Sequence, residues 1–454
     1  MRQPLMPFEG RLPESTASAV LPRGFLAAAA AMGIKASGTP DVALVAVSDA
    51  APDASVAAVF TSNAVVAAPL ILSQQHLRSL APQGDGRYGW ARGVVCTAGC
   101  ANAATGADGL ADQESLAKAF ARGLGTDSQR TLAMSTGVIG TRLPADRLAP
   151  EIGRLARDGL SDGPSALAAA AEAMCTTDSR PKSATVRLTL PDRTGRPVPV
   201  MVSGIAKGVG MIHPQMATML ALVLTDAEAK PSMLHGLLRP VAARTWDQLT
   251  VDGDTSTNDT VFLLASGEAG AAPVSEGSPE ETALREAVEA VARSLARQQA
   301  ADGEGATTLI TCQVSGATDD AEARAVARSV VASSLVKAAV HGRDPNWGRI
   351  VAAAGNARLA SSAVLEAAGL SADEALRRAG VAVRLDVARL RVAICGVDVF
   401  HGLPLAFDRA ALRALMAEPE VILRLDLSLG EGLGEAFGCD LTEAYVVENA
   451  EYTT

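Results

Sequence analysis

Short apolar runs bounded by Gly, Pro, Asp and Asn recur along the first half of the chain, with amphipathic stretches between them. "DVALVAVSD" (41–49), "ASVAAVFTSN" (54–63), "RGVVCTAG" (92–99) and "RTLAMSTGVIG" (130–140) are runs of this kind and predict buried strands. "GLADQESLAKAFARGLG" (109–125) places apolar residues at helical spacing and ends on Gly, which predicts a helix. "PSALAAAAEAM" (164–174) predicts another, with Pro at its start. A polar loop, "CTTDSRPKSA" (175–184), leads into strands at 185–190 and 197–206. The glycine-bearing stretch "KGVGMIHPQMATML" (207–220) then opens an apolar run. Beyond it the pattern predicts a strand, a helix, the loop "VDGDTSTNDT" (251–260), a helix ending in a Gly-rich exit (279–305) and a strand (307–316). One long helix over 319–342 follows, then strands near 391–400 and 421–429. Only 81–89 and 269–280 look like linkers, and no repeat appears. Helix and strand alternating throughout predict an α/β or α+β fold in layers.

Composition narrows this. Aromatic residues make up 3% of the chain, so a core for 454 residues must be built from Ala, Val and Leu, in two or three subdomains. Net charge is −10 and no Lys/Arg run stands out, which argues against a nucleic-acid partner. The longest apolar run, "FLAAAAAMGI" (25–34), is too short to span a bilayer, and the first residues carry no apolar signal core. The expectation is a cytoplasmic protein without a membrane partner. Six scattered cysteines lack the paired spacing of a zinc site, so free thiols and no metal are expected.

Residues 207–220 permit several chemistries. A phosphate loop would need Gly-Lys-Ser/Thr before a helix, and here a strand follows. His213 has no second His or Cys nearby to share a metal. A glycine-rich crossover between strands is one reading. A scissile bond is another. The Thr218 hydroxyl can attack the Ala217 carbonyl in an N→O acyl shift, and hydrolysis then frees the Thr218 α-amine. That amine, with an ordinary pKa near 8 (about 7.7–8.0), can serve as base for its own hydroxyl, so no histidine is needed.

The stretch "KGVGMIHPQMATMLALVLTDA" closely resembles the self-processing motif of the ornithine acetyltransferase (bifunctional glutamate N-acetyltransferase) family. "STGVIG" (135–140), "TTDSRPK" (176–182), "VDGDTSTNDT", "GRDPNWGRI" (342–350) and the terminal "NAEYTT" agree in order, so the resemblance spans nearly the whole chain. It implies an N-terminal-nucleophile-like sandwich of helices on sheets. Cleavage between Ala217 and Thr218 would give an α chain (1–217) and a β chain (218–454), held together as α2β2. It implies Thr218 as nucleophile and acetyl carrier, and Thr136 and Gly137 as the oxyanion hole. Thr177, Lys207, Thr218, Glu304, Asn449 and Thr454 match the family's substrate contacts, Glu304 through the looser match "DGEG". Lys207 suits an α-carboxylate and Glu304 a side-chain ammonium.

The implied reaction is ping-pong transfer of acetyl from N2-acetylornithine to glutamate in arginine biosynthesis. Small amino acids are the partners and no cofactor is implied; acetyl-CoA is left open as a donor. Thr97 and Cys100 replace asparagines usual in the family, and Gln215 stands where Asn is usual. These departures leave room for a related N-acyltransferase of a specialised pathway. A hydrolase, an N-terminal-nucleophile amidase or aminopeptidase, is the other alternative.

Overall fold

The computed structural model describes residues 12–213 and 219–451. Ala217, Thr218, Gln215 and Thr454 lie outside the described residues. Two sheets carry the site. The first has four strands in the order Phe25–Ala30, Val42–Val47, Gly93–Cys100, Thr131–Val138. The second has six, in the order Tyr88–Ala91, Ala54–Phe60, Thr260–Ala265, Leu220–Thr225, Pro197–Lys207, Lys182–Pro191.

Every central strand of both sheets is apolar on both faces, and the alternation of side chains decides what each face meets. Ala43, Val45, Cys96, Leu132 and Met134 point from the first sheet into one shared core. They meet Val56, Ala58, Leu222, Leu224, Phe262 and Leu264 of the second sheet there, with Leu167, Ala170 and Met174 of the helix Ala166–Met174. The opposite parity (Val42, Leu44, Val95, Ala133) packs outward on Leu116 and Phe120 of Gly106–Gly123 and on Leu148 and Ile152 of Ala145–Asp158. On the second sheet Ala57, Val59, Ala221, Val223, Val261 and Leu263 pack outward on helices Pro231–Arg244 and Pro279–Ala301. The result is a helix–sheet–sheet–helix sandwich, the layered α/β arrangement expected from the sequence. Small side chains let these layers close: a Cβ on Gly204 would stand 2.7 Å from Val291.

The helix Pro279–Ala301 also joins the third sheet. Its strands run Leu403–Pro404, Val397–His401, Arg391–Ile394, Glu420–Asp426, Leu309–Ala317, Gly432–Cys439. Arg293 forks onto Glu435 at 2.6 and 2.8 Å, and Arg297 reaches Glu420 at 2.8 Å. These planar pairings are partly shielded from solvent, the setting in which an ion pair fixes orientation best.

Two expectations need correcting. The helix over 319–342 is two, Asp320–Ala332 and Ser334–His341. Ser333 leaves the helical region (φ −71, ψ 114) and its side chain accepts the Val336 amide, starting a new helix. The strand expected at 185 starts at Lys182. Its first residues read as polar loop because the buried Lys182 ammonium finds partners, Asp178 and Asp302.

Register brings one set of strand ends to one edge of the sandwich. Lys207 pairs with Leu220, and Leu220 with Thr260. The last residue of one strand and the first residues of two others therefore lie in one row. Leu220 follows Thr218 by two residues, so this row is where the proposed nucleophile's strand begins.

Candidate active site

A cleft opens at that edge, lined by Ala101, Thr136, Gly137, Thr176, Thr177, Lys207, Gly210, Met211, Ser256, Thr257, Asn258, Glu304 and Asn449, with Ile139 at its side. Five of the residues singled out from the sequence therefore converge, although Thr136 and Asn449 are far apart in the chain. Gly137 joins them as a sixth.

Thr136 and Gly137 stand at the end of Thr131–Val138, where pairing with Gly93–Cys100 slips: Cys100 faces both Thr136 and Val138. Gly137 has φ +127, and a Cβ there would lie 2.2 Å from the Gly99 carbonyl carbon. Only glycine fits a backbone turned this way against another backbone. Thr136 is 3% exposed.

Lys207 is also 3% exposed, and the lost hydration of its ammonium must be replaced by partners. It donates to Thr136 Oγ1 at 3.1 Å and Thr176 Oγ1 at 2.8 Å, with Asp178 Oδ2 3.8 Å away. Because Lys207 occupies a lone pair of Thr136, the Thr136 hydroxyl proton is left to donate elsewhere. The Lys207 ammonium supports the two threonine hydroxyls and also lines the cleft. Asp178 anchors this cluster, accepting the Gly208 amide at 2.8 Å and the Lys182 ammonium. Burial alone would raise its pKa. Lys207, Lys182 and the Gly208 amide outweigh burial and hold it at about 2.

On the facing wall Glu304 accepts from Thr177 Oγ1 at 3.0 Å and from Asn449 Nδ2 at 2.9 Å. Its backbone amide donates to the Val209 carbonyl at 2.8 Å. Gly210 makes room for this carboxylate, since a Cβ there would fall 2.2 Å from Glu304 Oε2. Asn449 rides on the helix Glu443–Glu451, which brings the chain's last described turn to the cleft.

The sequence reading assigned no role to Asn258, Thr176 or Asp178. Asn258 Nδ2 donates to Ala101 O (2.8 Å), Ser135 O (2.9 Å) and Ser135 Oγ (2.9 Å), and Thr257 Oγ1 donates to Asn258 Oδ1 at 2.6 Å. It ties the loop 251–260 to the strand end that carries Thr136. The signal was present, because these residues sit inside the quoted "TTDSRPK" and "VDGDTSTNDT".

The two replaced asparagine positions do not line the cleft. Thr97 is buried in mid-sheet, and the Cys100 thiol donates to Thr141 O at 3.2 Å. Of that segment only Ala101 reaches the cleft. Thiolate chemistry is also disfavoured here: burial pushes Cys175, next to Thr176, to about 11 and Cys96 to about 12. Among the described residues no helix is long and apolar enough to cross a membrane.

The ArgJ family model matches residues 26–454. The arginine biosynthesis bifunctional protein ArgJ of a Synechococcus species is 42% identical over 447 residues, 95% of this chain and 96% of that protein. Its namesake in Thermus thermophilus is 42% identical over 437 residues, 96% of this chain and 99% of that protein. Among solved structures, the ArgJ protein of Bacillus halodurans matches 50% of this chain and 97% of its own at 35% identity and a TM-score of 0.44. Ornithine acetyltransferase from Mycobacterium tuberculosis, complexed with ornithine, matches 44% of this chain and 97% of its own at 35% identity and a TM-score of 0.37.

Proposed function

The chain belongs to the ArgJ family, and from that premise we propose that it is a self-cleaving N-acetyltransferase of arginine biosynthesis. It moves acetyl from N2-acetylornithine to glutamate through an acetyl-Thr218 intermediate. The observation that carries this reading is the convergence of Thr136, Gly137, Thr177, Lys207, Glu304 and Asn449 at the strand edge where residue 220 begins.

In self-cleavage Thr218 Oγ attacks the Ala217 carbonyl and the C–N bond breaks. Water hydrolyses the ester, leaving chains 1–217 and 218–454, which stay associated as α2β2. The freed Thr218 amine then takes the proton from its own hydroxyl. Oγ adds to the acetyl carbonyl of N2-acetylornithine, and the oxyanion accepts hydrogen bonds from the Thr136 hydroxyl and the Gly137 amide. On collapse the C–N bond breaks, the ornithine nitrogen takes the proton from the Thr218 ammonium, and ornithine leaves. The amine of glutamate attacks the ester, passes a proton to Thr218 N, and Thr218 Oγ departs as the hydroxyl. Glu304 pairs with the side-chain ammonium of the donor; Thr177 and Asn449 orient it, and the family resemblance adds Thr454 as a substrate contact.

No step calls for a metal or resident cofactor. Acetyl-CoA enters, if used, as an alternative donor to the same Thr218. The small amino-acid substrates fit a cytoplasmic setting. The test is ornithine release from N2-acetylornithine with and without glutamate. Ping-pong kinetics with N-acetylglutamate as product supports the reading. Release of free acetate at the same rate without glutamate would assign the site to a hydrolase instead.

A further inference from the structure

The loop 251–260 grips the chain on both sides of residues 213–218. Upstream, Met211 holds φ +54, uncommon for a residue with a bulky side chain. Its amide donates to Asp252 Oδ2 at 2.5 Å, and the Ile212 amide to Asp252 Oδ1 at 3.0 Å. The Ile212 carbonyl accepts the Val251 amide at 2.8 Å and the Thr250 hydroxyl at 3.3 Å. Downstream the same two-point hold recurs. The Met219 amide donates to Asp259 Oδ1 at 2.8 Å, and the Met219 carbonyl accepts the Thr260 amide at 3.1 Å. Asp259 is fully buried, and among the described residues its Oδ2 has no hydrogen-bond partner within normal geometry. The neighbouring Thr61 hydroxyl already donates to the Ser256 carbonyl at 2.7 Å.

We propose that Asp259 and Asp252 are positioning residues for the Ala217–Thr218 junction: they fix the main chain at Met219 and at Met211–Ile212, so that the bond is held for attack and Thr218 is held for acyl transfer. This rests on the reading of Thr218 as the nucleophile. An ordinary loop turn needs neither a fully buried carboxyl nor a hold on the main chain at both ends of the segment between Ile212 and Met219. The carboxyl is buried despite the cost of taking it out of water. Burial also raises the Asp259 pKa above the ordinary carboxylate range, and its Oδ1 is the acceptor for the Met219 amide. Asparagine reproduces that acceptor; alanine does not.

The test follows self-cleavage of the full chain by intact mass after cell-free synthesis, comparing wild type, Asp259→Asn, Asp259→Ala and Asp252→Ala. A loosened junction should slow cleavage on the order of 10²-fold in Asp259→Ala, since small misplacements of a reacting group cost about that much. In the cleaved fraction kcat should fall while KM for N2-acetylornithine holds. Asp259→Asn should cleave and turn over like wild type. If Asp259→Ala cleaves at the wild-type rate, or if folded Asp259→Asn is as slow as a disabled variant, the positioning role is wrong. If Asp259→Ala does not fold, the Asp259→Asn result decides alone. A wild-type chain that never divides would instead overturn the Thr218 reading itself.

Discussion

Replacing Thr136 with alanine isolates one donor of the oxyanion hole. The hydroxyl is buried, lines the cleft and receives a hydrogen bond from Lys207 at 3.1 Å, so its own proton is free to point at a developing oxyanion. The alanine removes that donor without touching the Glu304 wall, the proposed contact for the substrate ammonium. The donor acts where charge builds, so its loss should fall on kcat and leave KM nearly unchanged. Removing one such donor costs on the order of 10²–10³ in kcat, about 3–4 kcal/mol. Stability should fall less. Lys207 loses one acceptor but keeps Thr176 at 2.8 Å and Asp178 at 3.8 Å, so the folding cost is about 1–2 kcal/mol. Thr136→Ser keeps the hydroxyl and should restore most of the rate. The assay is initial-rate ornithine release under saturating N2-acetylornithine and glutamate, with thermal unfolding alongside. An unchanged kcat in a folded Thr136→Ala enzyme would refute the oxyanion assignment. A rise in KM with kcat intact would reassign Thr136 to ground-state binding.

Glu304→Gln should keep the fold, since the amide oxygen can still accept from Thr177 or Asn449, and should raise KM for N2-acetylornithine about tenfold by removing a charge-assisted contact; equal KM values would remove Glu304 from donor recognition. Asp178, which burial would raise but Lys207 and Lys182 hold near 2, stabilises the fold fully above the unfolded carboxylate pKa and loses that contribution as pH falls through about 2. Denaturation measured between pH 4 and pH 2 should show a loss on the order of 2 kcal/mol that is missing in Asp178→Asn, and parallel curves for the two proteins would contradict it.

The strands of the sandwich were legible because a buried strand needs only a short apolar run with turn residues at its ends, as at 41–49 and 92–99. Helices that break a local rule were harder to see. Ala145–Asp158 carries Pro150 inside it, and its apolar residues Leu148, Ile152 and Ala156 are separated by charges. The pause at Ser333 is one residue long and invisible to periodicity, which continues in phase on both sides. The site shows the opposite limit. Lys207, Glu304 and Asn449 have no local pattern that marks them, since each becomes functional only through a partner contributed by a distant segment. The ordered set of family segments named them. It could not show that Lys207 serves Thr136 and Thr176, nor that Asn258 braces Ser135, because those are facts of packing between segments.

The central claim is that Thr218 becomes an N-terminal nucleophile and carries the acetyl group. Intact mass and peptide mapping of purified protein, incubated with N2-acetylornithine and no acceptor, test it in one experiment. The account predicts two chains, the second beginning at Thr218 and bearing one acetyl group on the Thr218 side chain, which disappears when glutamate is added. A single undivided chain with full transferase activity, or an acetyl group on any residue other than Thr218, would contradict it.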